Sequence, residues 1–553
     1  MDRLPIIYIR GYAGATAGIN SQVDDPFYGF NLGATHVRVG GDGDPAFYQF
    51  EGPMLRLMTD ENYRLLVRGD QQQYLDSAEP GTVSAASLWV YRFYDQAATT
   101  FVPPAAHEGM VERFLTKLHQ KVTADGFDIE QAAAGLYTLI LEVRAKTGAD
   151  KVHLVAHSMG GLVARCMIQK LCGQDGREPA KAIVDKFFTY GTPHGGITFD
   201  YGVLDWAEQA FGPAGADMFS PPKMFGYLTP GKTFGKDVPG DGDSWDPQRI
   251  DKDVFDPANI FCLVGTDPKD YGLSRAVVGP KSDGLVRIEH AYVREAHRAY
   301  VYKSHSGSYG EVNSEEGYQN LRRFLFGRWA VSVDFAGLPR PVAASPGPIW
   351  QADMRLAIRG LSVVMSEQQA DHWCPIQLNE ELDRPVDTAD SPVPLLSTFL
   401  IDPGHEAELS AERNDPLKPT AHGGRMRHVL SLRVYQLDER GGSFNFANHL
   451  EQVPDWADSL IIDVGPNDDN TGMNAWAAWN SEVPGAIKDF DTITDALPPV
   501  RQRPVDLTVR DGIHFGSIPM PDLARSLPVL GAAASLSLAV TDREIATAAP
   551  QPA

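Results

Sequence analysis

Three side chains in this sequence have the types and the order that a nucleophilic serine requires. Ser158, Asp283 and His305 follow one another along the chain, and each lies in a loop after a predicted strand. A serine hydroxyl is a poor nucleophile until a histidine accepts its proton, and the histidine needs a carboxylate that fixes its tautomer and stabilises its charge. On a sheet with alternating helices these groups occur in the order serine, acid, histidine. The three residues therefore predict nucleophilic chemistry at a serine.

Ser158 lies where a predicted strand turns into a predicted helix. Residues 152–156 form a short apolar run typical of a buried strand, and residues 162–168 have a helical pattern. Such a turn, of usual sequence G-x-S-x-G, raises a serine hydroxyl above the edge of a sheet. Ala156 replaces the first glycine, at a position that needs little more than a small side chain. An idle serine between a strand and a helix is the alternative.

The elements that must position these side chains alternate along roughly the first 330 residues. The predicted strands include residues 4–9, 87–94, 182–190 and 260–265. Helical patterns separate them, the clearest being residues 129–146, which stop before Gly148. This alternation predicts an α/β fold with a doubly wound, mostly parallel sheet. Gly11 and Gly14 follow the first strand, where a flexible turn can expose backbone N–H groups to an oxyanion.

Motifs near the ends of these strands resemble those of the α/β-hydrolase superfamily, in particular its bacterial lipases and esterases. The matching segments, in the order of the family, are IRGYAG at 9–14, AHSMGG at 156–161, GTPHG at 191–195, SDGLV at 282–286 and SHSG at 304–307. One such segment is weak evidence, whereas the full set in order is specific. The resemblance covers roughly residues 1–330 and implies an α/β-hydrolase fold.

Carried over onto this sequence, the resemblance implies a role for each residue of the predicted site. Ser158 would be the nucleophile, Asp283 the acid and His305 the base. The oxyanion hole would consist of the backbone N–H groups of Tyr12 and of Met159, the residue after the nucleophile.

Two positions depart from the family pattern. The family usually has His-Gly where this chain has Arg10 and Gly11. That change preserves a backbone N–H donor but leaves the geometry of the loop open. Alanine at position 156 also occurs in a subset of these lipases and is neutral for the prediction.

Other side chains compete for the roles of acid and base. Asp267 lies closer to the preceding predicted strand than Asp283 does, although the Asp-Gly-Leu-Val context favours Asp283. His290 and His297 follow soon after Asp283, where an intervening strand or helix is expected, so His305 is preferred as the base.

Residues 199–258 interrupt the alternation, and we predict that they form a cap or lid over the site. The segment is rich in aromatic residues and methionine, and Pro and Gly occur throughout it. The apolar underside of such a lid would bind an acyl chain or another apolar group. We predict substrate contacts from Arg10, His157, Trp206 and Phe219. Packing of the aromatic residues into an ordinary core is the alternative.

Charge and hydropathy limit the partners and the compartment. The 553 residues include 72 Asp and Glu against 49 Lys and Arg, a formal net charge of −23, which argues against nucleic acid as a partner. No apolar run reaches the roughly 18 residues that a transmembrane helix needs. The N-terminal residues lack the features of a secretory signal, which predicts a cytoplasmic protein.

No cofactor is predicted. The four cysteines have no spacing typical of a metal site, and we expect them to be buried or incidental free thiols. The proposed serine chemistry itself requires neither a metal nor an organic cofactor.

From residue 329 onward, short strand-like runs separated by Pro, Asp, Asn and Gly replace the alternation. They predict a β-rich, sandwich-like accessory domain over residues 329–545, after a catalytic domain of residues 1–328, with residues 546–553 as a disordered tail. Residues 463–470 could bind calcium, but they lack the ligand spacing of a calcium loop and favour an Asx-type turn. This part resembles no family that we identify.

The resemblance implies a serine carboxylic-ester hydrolase, a lipase or esterase that acts through an acyl-enzyme on a small-molecule or lipid-like ester. The same side chains serve acyl transfer, thioester cleavage and amide cleavage, and the sequence does not distinguish among these. A non-catalytic binding protein with a hydrolase-like body is a further alternative, but the presence of Ser158, Asp283 and His305 in their motifs argues against it.

Overall fold

The chain forms two compact units. The first comprises Met1–Arg298 and Lys303–Tyr318, and the second comprises Ala299–Tyr302 and Gln319–Ala553. The structure, a computed structural model, describes residues 3–11, 35–39, 45–49, 52–65, 71–91, 128–197, 218–237, 245–269, 279–305, 310–339, 348–379, 392–413, 426–437, 453–467, 472–482 and 503–544.

A parallel sheet is the centre of the first unit. The strands that the structure describes here are β1 (Ile6–Ile9), β2 (Thr35–Val39), β3 (Pro45–Gln49), β4 (Arg64–Leu65), β5 (Ser87–Tyr91), β6 (Val152–His157), β7 (Val184–Tyr190), β8 (Ile260–Gly265) and β9 (His297–Val301), whose residues from Ala299 onward belong to the second unit. Among the described strands, β2 and β3 pair with each other, and the rest form a seven-stranded sheet in the order β4-β5-β1-β6-β7-β8-β9. The pairings from β4 through β8 are parallel. The predicted mostly parallel sheet is confirmed.

Strands β1 and β6 are neighbours in the middle of this sheet. Every residue of β1 is buried, and β6 is buried from Val152 to Ala156. Both strands read as near-continuous apolar runs because helices and loops cover both faces of a parallel sheet. Their register pairs Ile9 with Ala156. The turns that follow the two strands therefore start at the same edge of the sheet.

Helices connect these strands. They are α1 (Gly52–Asp60), α2 (Gln71–Ser77), α3 (Ile129–Thr147), α4 (Met159–Cys166), α5 (Ala180–Ile183) and α6 (Pro221–Leu228), followed by α7 (Glu315–Phe326), which continues into the second unit. The side chain of Asp128 caps the start of α3 by accepting hydrogen bonds from the N–H groups of Glu130 and Gln131. Gly148, with φ of 73°, ends α3 in the left-handed conformation that glycine adopts readily. This helix was predicted with nearly the same limits.

The start of one predicted strand differs by two residues. The strand expected from residue 182 begins instead at Val184, and the preceding residues form the short helix α5. Pro179 stands at the N-terminal end of α5, and the buried residues Ala180 and Ile183 are three apart, which is helical spacing. The apolar run that suggested a strand therefore contains one turn of helix.

The second unit consists mainly of antiparallel strands. They are β10 (Gly327–Ala336), β11 (Ile349–Ile358), β12 (Val364–Gln368), β13 (Ile376–Gln377), β14 (Val393–Ile401), β15 (Met426–Leu437), β16 (Trp456–Pro466), β17 (Met473–Trp479), β18 (Arg503–Pro504), β19 (Thr508–Arg510), β20 (Ile513–Pro519) and β21 (Ser535–Asp542). One sheet has the order β14-β10-β21-β20-β19, and the other has the order β12-β11-β15-β16-β17-β18, with β13 beside β11. Helices α8 (Pro403–Arg413) and α9 (Asp522–Arg525) lie between strands in the sequence.

Both sheets of the second unit contribute to one apolar core. Phe335 and Leu538 enter it from the first sheet, and Leu432 and Ile462 enter it from the second. Two sheets that share a core form a sandwich-like arrangement. The predicted β-rich C-terminal architecture is confirmed.

The segment considered for calcium uses its side chains in protein contacts. Asp463 accepts hydrogen bonds from Nε and Nη2 of Arg427 at 2.9 and 3.0 Å, and both residues are buried. The Oδ1 atom of Asn467 accepts the N–H of Gly472 at 2.9 Å, which is a turn stabilised by an asparagine side chain. Residues 468–470 lie outside the described residues.

Two further expectations concern the whole chain. Within the described ranges, no helix combines the length and the apolar character that crossing a membrane requires. Cys166, Cys172, Cys262 and Cys374 are free thiols, and all of them are buried. The expectation of buried thiols is therefore confirmed.

Candidate active site

Ser158 occupies a strained turn between β6 and α4. Its φ of 54° and ψ of −129° are uncommon for a residue with a side chain, so the surrounding structure must hold this conformation. The N–H of Ser158 donates to the carbonyl of Tyr190 at 2.9 Å, and its carbonyl accepts the hydroxyl of Thr192 at 2.9 Å. Both contacts come from the end of β7 or the loop after it.

Glycine after the serine lets α4 approach the neighbouring strand closely. A Cβ atom on Gly160 would lie 2.6 Å from the carbonyl oxygen of Ile9 and 2.8 Å from that of Arg10. Real side chains do not tolerate such contacts with backbone atoms. Position 160 therefore requires glycine if the first turn of α4 is to pack against the end of β1.

Hydrogen bonds join the three predicted side chains into one series. Nε2 of His305 lies 2.9 Å from Oγ of Ser158, and Nδ1 of His305 lies 2.8 Å from Oδ2 of Asp283. The exposed fractions are 8% for Ser158, 1% for Asp283 and 2% for His305. The structure thus brings together a hydroxyl, an imidazole and a carboxyl that are far apart in the sequence.

The loop around Asp283 fixes this carboxylate. Its Oδ1 atom accepts hydrogen bonds from the N–H groups of Leu285 at 2.8 Å and Val286 at 2.7 Å. The turn passes through Gly284, whose φ of 99° favours glycine. The backbone N–H of His305 donates to the carbonyl of Asp283 at 2.8 Å. One oxygen of Asp283 is therefore held by its own loop, and the other faces His305.

These contacts assign the tautomer of His305. An ionised carboxylate only accepts hydrogen bonds, so Nδ1 of His305 carries the proton that is donated to Asp283. Nε2 is then an acceptor, and the hydroxyl of Ser158 donates to it. This is the arrangement in which His305 can accept the proton of Ser158.

His157, a predicted substrate contact, supports the loop that carries His305. Its Nε2 atom lies 3.0 Å from the carbonyl oxygen of His305, so this nitrogen carries the proton and donates it. Burial, followed by the nearby His305, lowers the pKa of His157 to about 3. His157 is therefore neutral at physiological pH.

The predicted oxyanion donors are described in part. Met159 is the first residue of α4, where the N–H groups have no partner within the helix and favour negative charge. Tyr12 lies outside the described residues, which end at Gly11 in this segment. The backbone N–H of Arg10 donates to the carbonyl of Tyr91 at 3.2 Å, so this residue still follows the edge of the sheet. The Arg10 charge is also among the causes that lower the pKa of His157.

The predicted lid is described only at 218–237 and 245–258, and Trp206 falls outside these residues. Phe219 is 3% exposed. A Cβ atom on Gly196 would lie 2.7 Å from the Phe219 carbonyl oxygen, so the backbone at Phe219 is close to the loop after β7. Whether these residues contact a substrate stays a prediction.

The competing residues have other contacts. Oδ1 of Asp267 accepts the N–H of Lys269 at 2.9 Å, and Nδ1 of His290 lies 3.1 Å from the carbonyl oxygen of Gly196. His297 is the first residue of β9. The geometry thus favours Asp283 and His305 over Asp267, His290 and His297.

Glu311 belongs to the surroundings of the site, although its sequence gives no signal of this. It lies in a polar, acidic stretch just before α7, where an exposed side chain is expected, yet it is completely buried. Its carboxylate and ring nitrogens of His157 and His305 lie within 4.8 Å of one another. Such a group could hold a metal ion by distance alone. Both ring nitrogens of His305 are already bound to Asp283 and Ser158, however, so this cluster does not fit a metal site.

Arg165 on α4 is a second buried charge that sequence reasoning missed. Its Nη1 donates to the carbonyl of His194 at 3.1 Å, and its Nη2 donates to the carbonyl of Arg249 at 3.3 Å. Burial lowers its pKa to about 10, which leaves it charged. Arg165 therefore fastens the loop after β7 and the segment before β8 to the helix behind Ser158.

Comparison with known families agrees with this geometry. Residues 104–209 match the family described as "Putative serine esterase (DUF676)". This segment of the first unit is therefore similar to a family of serine esterases. This confirms the predicted resemblance and indicates a hydrolase of the serine type. The matched segment contains Ser158 but ends before Asp283 and His305, and it does not reach the second unit.

Comparisons with whole chains are less informative. The lin2722 gene product of Listeria innocua matches over 59% of this chain and 94% of its own, with 11% identity and a TM-score of 0.24. The Tle4–Tli4 complex matches over 47% of this chain and 57% of its own, with 15% identity and a TM-score of 0.15. None of the curated proteins matches the chain.

Proposed function

We propose that this protein is a serine carboxylic-ester hydrolase in which Ser158 is the nucleophile, His305 the general base and Asp283 the acid. The observation that carries the proposal is the series of hydrogen bonds from Ser158 Oγ to His305 at 2.9 Å and from His305 to Asp283 at 2.8 Å. The position of Ser158 at the start of α4 and the match to a serine esterase family support it.

The first half of the reaction forms an acyl-enzyme. Oγ of Ser158 attacks the carbonyl carbon of the ester while its proton passes to Nε2 of His305. Asp283 stabilises the imidazolium, and the N–H groups of Met159 and Tyr12 stabilise the oxyanion. The tetrahedral intermediate collapses, the bond to the alcohol breaks, and His305 donates its proton to the departing alcohol oxygen.

The second half releases the acid. Water donates a proton to His305 as its oxygen attacks the acyl carbon, and the second tetrahedral intermediate forms. When the bond to Oγ breaks, the proton of His305 returns to Ser158. The free enzyme is restored, and no metal or organic group takes part in these steps.

The substrate is an ester whose acyl part is small or apolar. Phe219, and Met224, Phe225 and Leu228 of α6, are buried apolar side chains in the segment predicted as a lid. A lid that carries such apolar side chains would suit an acyl chain better than a charged substrate. Rates with nitrophenyl esters of increasing acyl length will define the range.

Substitution of the nucleophile tests this function. We expect Ser158→Ala to abolish hydrolysis of nitrophenyl esters and covalent labelling by a fluorophosphonate probe, in which Oγ replaces fluoride on phosphorus. Ser77→Ala, at an exposed serine on α2, is the control and should keep both. Retained hydrolysis in Ser158→Ala, or a wild-type protein that the probe does not label at Ser158, would contradict the proposal.

A further inference from the structure

Glu311 is a buried carboxyl group that the steps above do not use. Its side chain has no exposed surface, and neither of its oxygens forms a hydrogen bond of normal geometry with any described residue. Its backbone N–H donates to the carbonyl of Ser304 at 2.9 Å, directly before His305. Burial of a carboxyl group without a hydrogen-bond partner lowers the stability of the fold, so its presence here calls for an explanation.

The position of Glu311 follows from two glycines. A Cβ atom on Gly191 would overlap Oε1 of Glu311, and it would lie 2.9 Å from Nδ1 of His305 and 3.0 Å from Oδ2 of Asp283. A Cβ atom on Gly265 would lie 2.9 Å from Cβ of Asp283 and 3.3 Å from Oε2 of Glu311. The Glu311 carboxyl, the Asp283 carboxyl and the His305 imidazole thus converge on one small space, which both glycines leave open.

The groups around this space determine the charge of Glu311. Asp283 comes from the segment between β8 and β9, and Tyr190 comes from the end of β7. His157 and His305 face it as well, while the Lys303 ammonium group pairs with Glu316 at 3.5 Å. Burial, followed by the Asp283 charge, raises the pKa of Glu311 well above its ordinary value, and the Gly265 N–H opposes these effects only in part. Burial and the neighbouring Asp283 carboxyl therefore favour the protonated form of Glu311.

We propose that Glu311 is a positioning residue that forms, with Asp283, a carboxyl pair carrying one negative charge beside His305. The proposal rests on the proposed function, because it concerns the imidazole that would activate Ser158. Two carboxyls that share a low-dielectric site ionise one at a time, and the charge belongs to the pair. Asp283 carries it because its Oδ1 accepts two backbone N–H groups, from Leu285 and Val286.

A pair of this kind has a measurable consequence when Asp283 is removed. Without the repulsion from Asp283, Glu311 loses its proton to solvent at lower pH than in the wild-type protein. Its negative charge then lies within 4.8 Å of an imidazole nitrogen of His305 and stabilises the imidazolium that forms as Ser158 reacts. A protein without both carboxyls has no such charge.

The test compares wild type, Glu311→Gln, Asp283→Ala and the double variant. Alanine is used at position 283 because an asparagine amide would donate to Nδ1 of His305 and impose the wrong tautomer. The readouts are the rate of fluorophosphonate labelling at Ser158 and kcat/KM for nitrophenyl acetate from pH 5 to 10. Thermal unfolding verifies that each variant folds. Glu289→Gln, at a side chain that is 67% exposed, controls for the loss of a carboxylate elsewhere.

Non-additive rates are the expected result. Glu311→Gln should slow labelling about threefold in the wild-type background and about thirtyfold or more in the Asp283→Ala background, since neighbouring groups that share a task couple strongly. The labelling rate of Asp283→Ala should also rise with pH as Glu311 ionises, and this rise should be absent from the double variant. Equal effects of Glu311→Gln in both backgrounds, or the same pH profile for Asp283→Ala and the double variant, would overturn the pair. Failure of the wild-type protein to be labelled would instead refute the proposed function.

Discussion

Gly11 packs directly against Ser158: a Cβ atom added to Gly11 would lie 2.9 Å from Cβ of Ser158. The same atom would lie 3.0 Å from Nδ1 of His157 and 3.1 Å from its carbonyl oxygen. This closeness follows from the sheet, because the register of β1 and β6 pairs Ile9 with Ala156. The loop after β1 and the turn at Ser158 are therefore built against each other, without room for a side chain between them.

The first prediction concerns this contact. Gly11→Ala should displace the turn at Ser158 or the His157 ring by a few tenths of an ångström, and we expect labelling by a fluorophosphonate to slow about tenfold to a hundredfold, since small errors in position are costly in catalysis. Gly226→Ala on α6, where an added Cβ meets nothing within 4 Å, is the matched control. Equal rates for the two variants would show that the loop after β1 yields without affecting Ser158.

The second prediction distinguishes the candidate acids. Asp283→Asn should lower kcat about 10⁴-fold, because the amide donates to Nδ1 of His305 and leaves Nε2 protonated toward Ser158. Asp267→Asn, which changes the alternative acid, should lower kcat by less than about tenfold. Steady-state hydrolysis of nitrophenyl acetate measures both. The assignment of the acid would be reversed if Asp267→Asn were the more damaging substitution.

The series of Ser158, Asp283 and His305 could be predicted because each residue occurs in a short motif with a local signal. The small residues around Ser158, the Asp-Gly turn at Asp283 and the order along the chain reflect constraints that act within a few residues. The alternation of strands and helices could be predicted for the same reason, since it depends on periodicity along short segments. The strand predicted over residues 182–190 exists, but its start was placed two residues too early, because one turn of helix and a strand both suit a short apolar run.

Glu311, Arg165 and the tautomer of His157 could not be predicted in this way. Each depends on contacts between residues that are distant in sequence, such as Glu311 with Gly191 and Arg165 with the carbonyl of Arg249. A charged residue in a polar stretch is normally exposed, so the sequence around Glu311 favours the opposite of what the fold does with it.

The third prediction concerns the thiols. We expect that none of the four cysteines reacts with a disulfide reagent such as dithionitrobenzoate in the folded protein, and that all four react in denaturant. Burial raises the pKa of Cys172 to about 12 and that of Cys166 and Cys262 as well, which removes the reactive thiolate. A rapidly reacting thiol in the native protein would contradict the burial of that residue, and mass spectrometry would identify it.

The fourth prediction concerns the ion pair between Arg427 and Asp463, which face each other on β15 and β16. Arg427→Met should lower the free energy of unfolding by about 3–5 kcal/mol, because it leaves a buried carboxylate unpaired. Arg427→Met combined with Asp463→Leu should recover most of this loss. Denaturant unfolding of the full chain measures both. Equal losses of unfolding free energy in the single and double variants would mean that the unpaired carboxylate of Asp463 is not the cause of the loss.

The fifth prediction concerns pH and His428 on β15. Burial, followed by the charge of Arg323, lowers its pKa to about 3, below the value of about 6.5 in the unfolded chain. The unfolded state therefore binds the extra proton between these values, and stability falls as the pH decreases from 6.5 toward 3. The free energy of unfolding of His428→Leu, measured relative to wild type, should be about 2 kcal/mol higher at pH 5 than at pH 8.

Unfolding in denaturant at the two pH values measures this gain. The control is His514→Leu on β20, where the side chain is partly exposed. A gain for His428→Leu that is the same at pH 5 and pH 8 would show that His428 has the same pKa in the folded and unfolded states.

The strained backbone at Ser158 has a consequence for how this site can be copied. The φ of 54° is maintained by Tyr190 at the end of β7, by Thr192 in the loop after it, and by the close approach of Gly160 to the end of β1. The pentapeptide Ala156–Gly160 would relax to an ordinary turn without these neighbours, because the contacts that hold the strained conformation come from other parts of the sheet. The reactive conformation of Ser158 thus depends on the three adjacent strands β1, β6 and β7. A graft of this pentapeptide into another loop would reproduce the sequence of the motif without its reactivity.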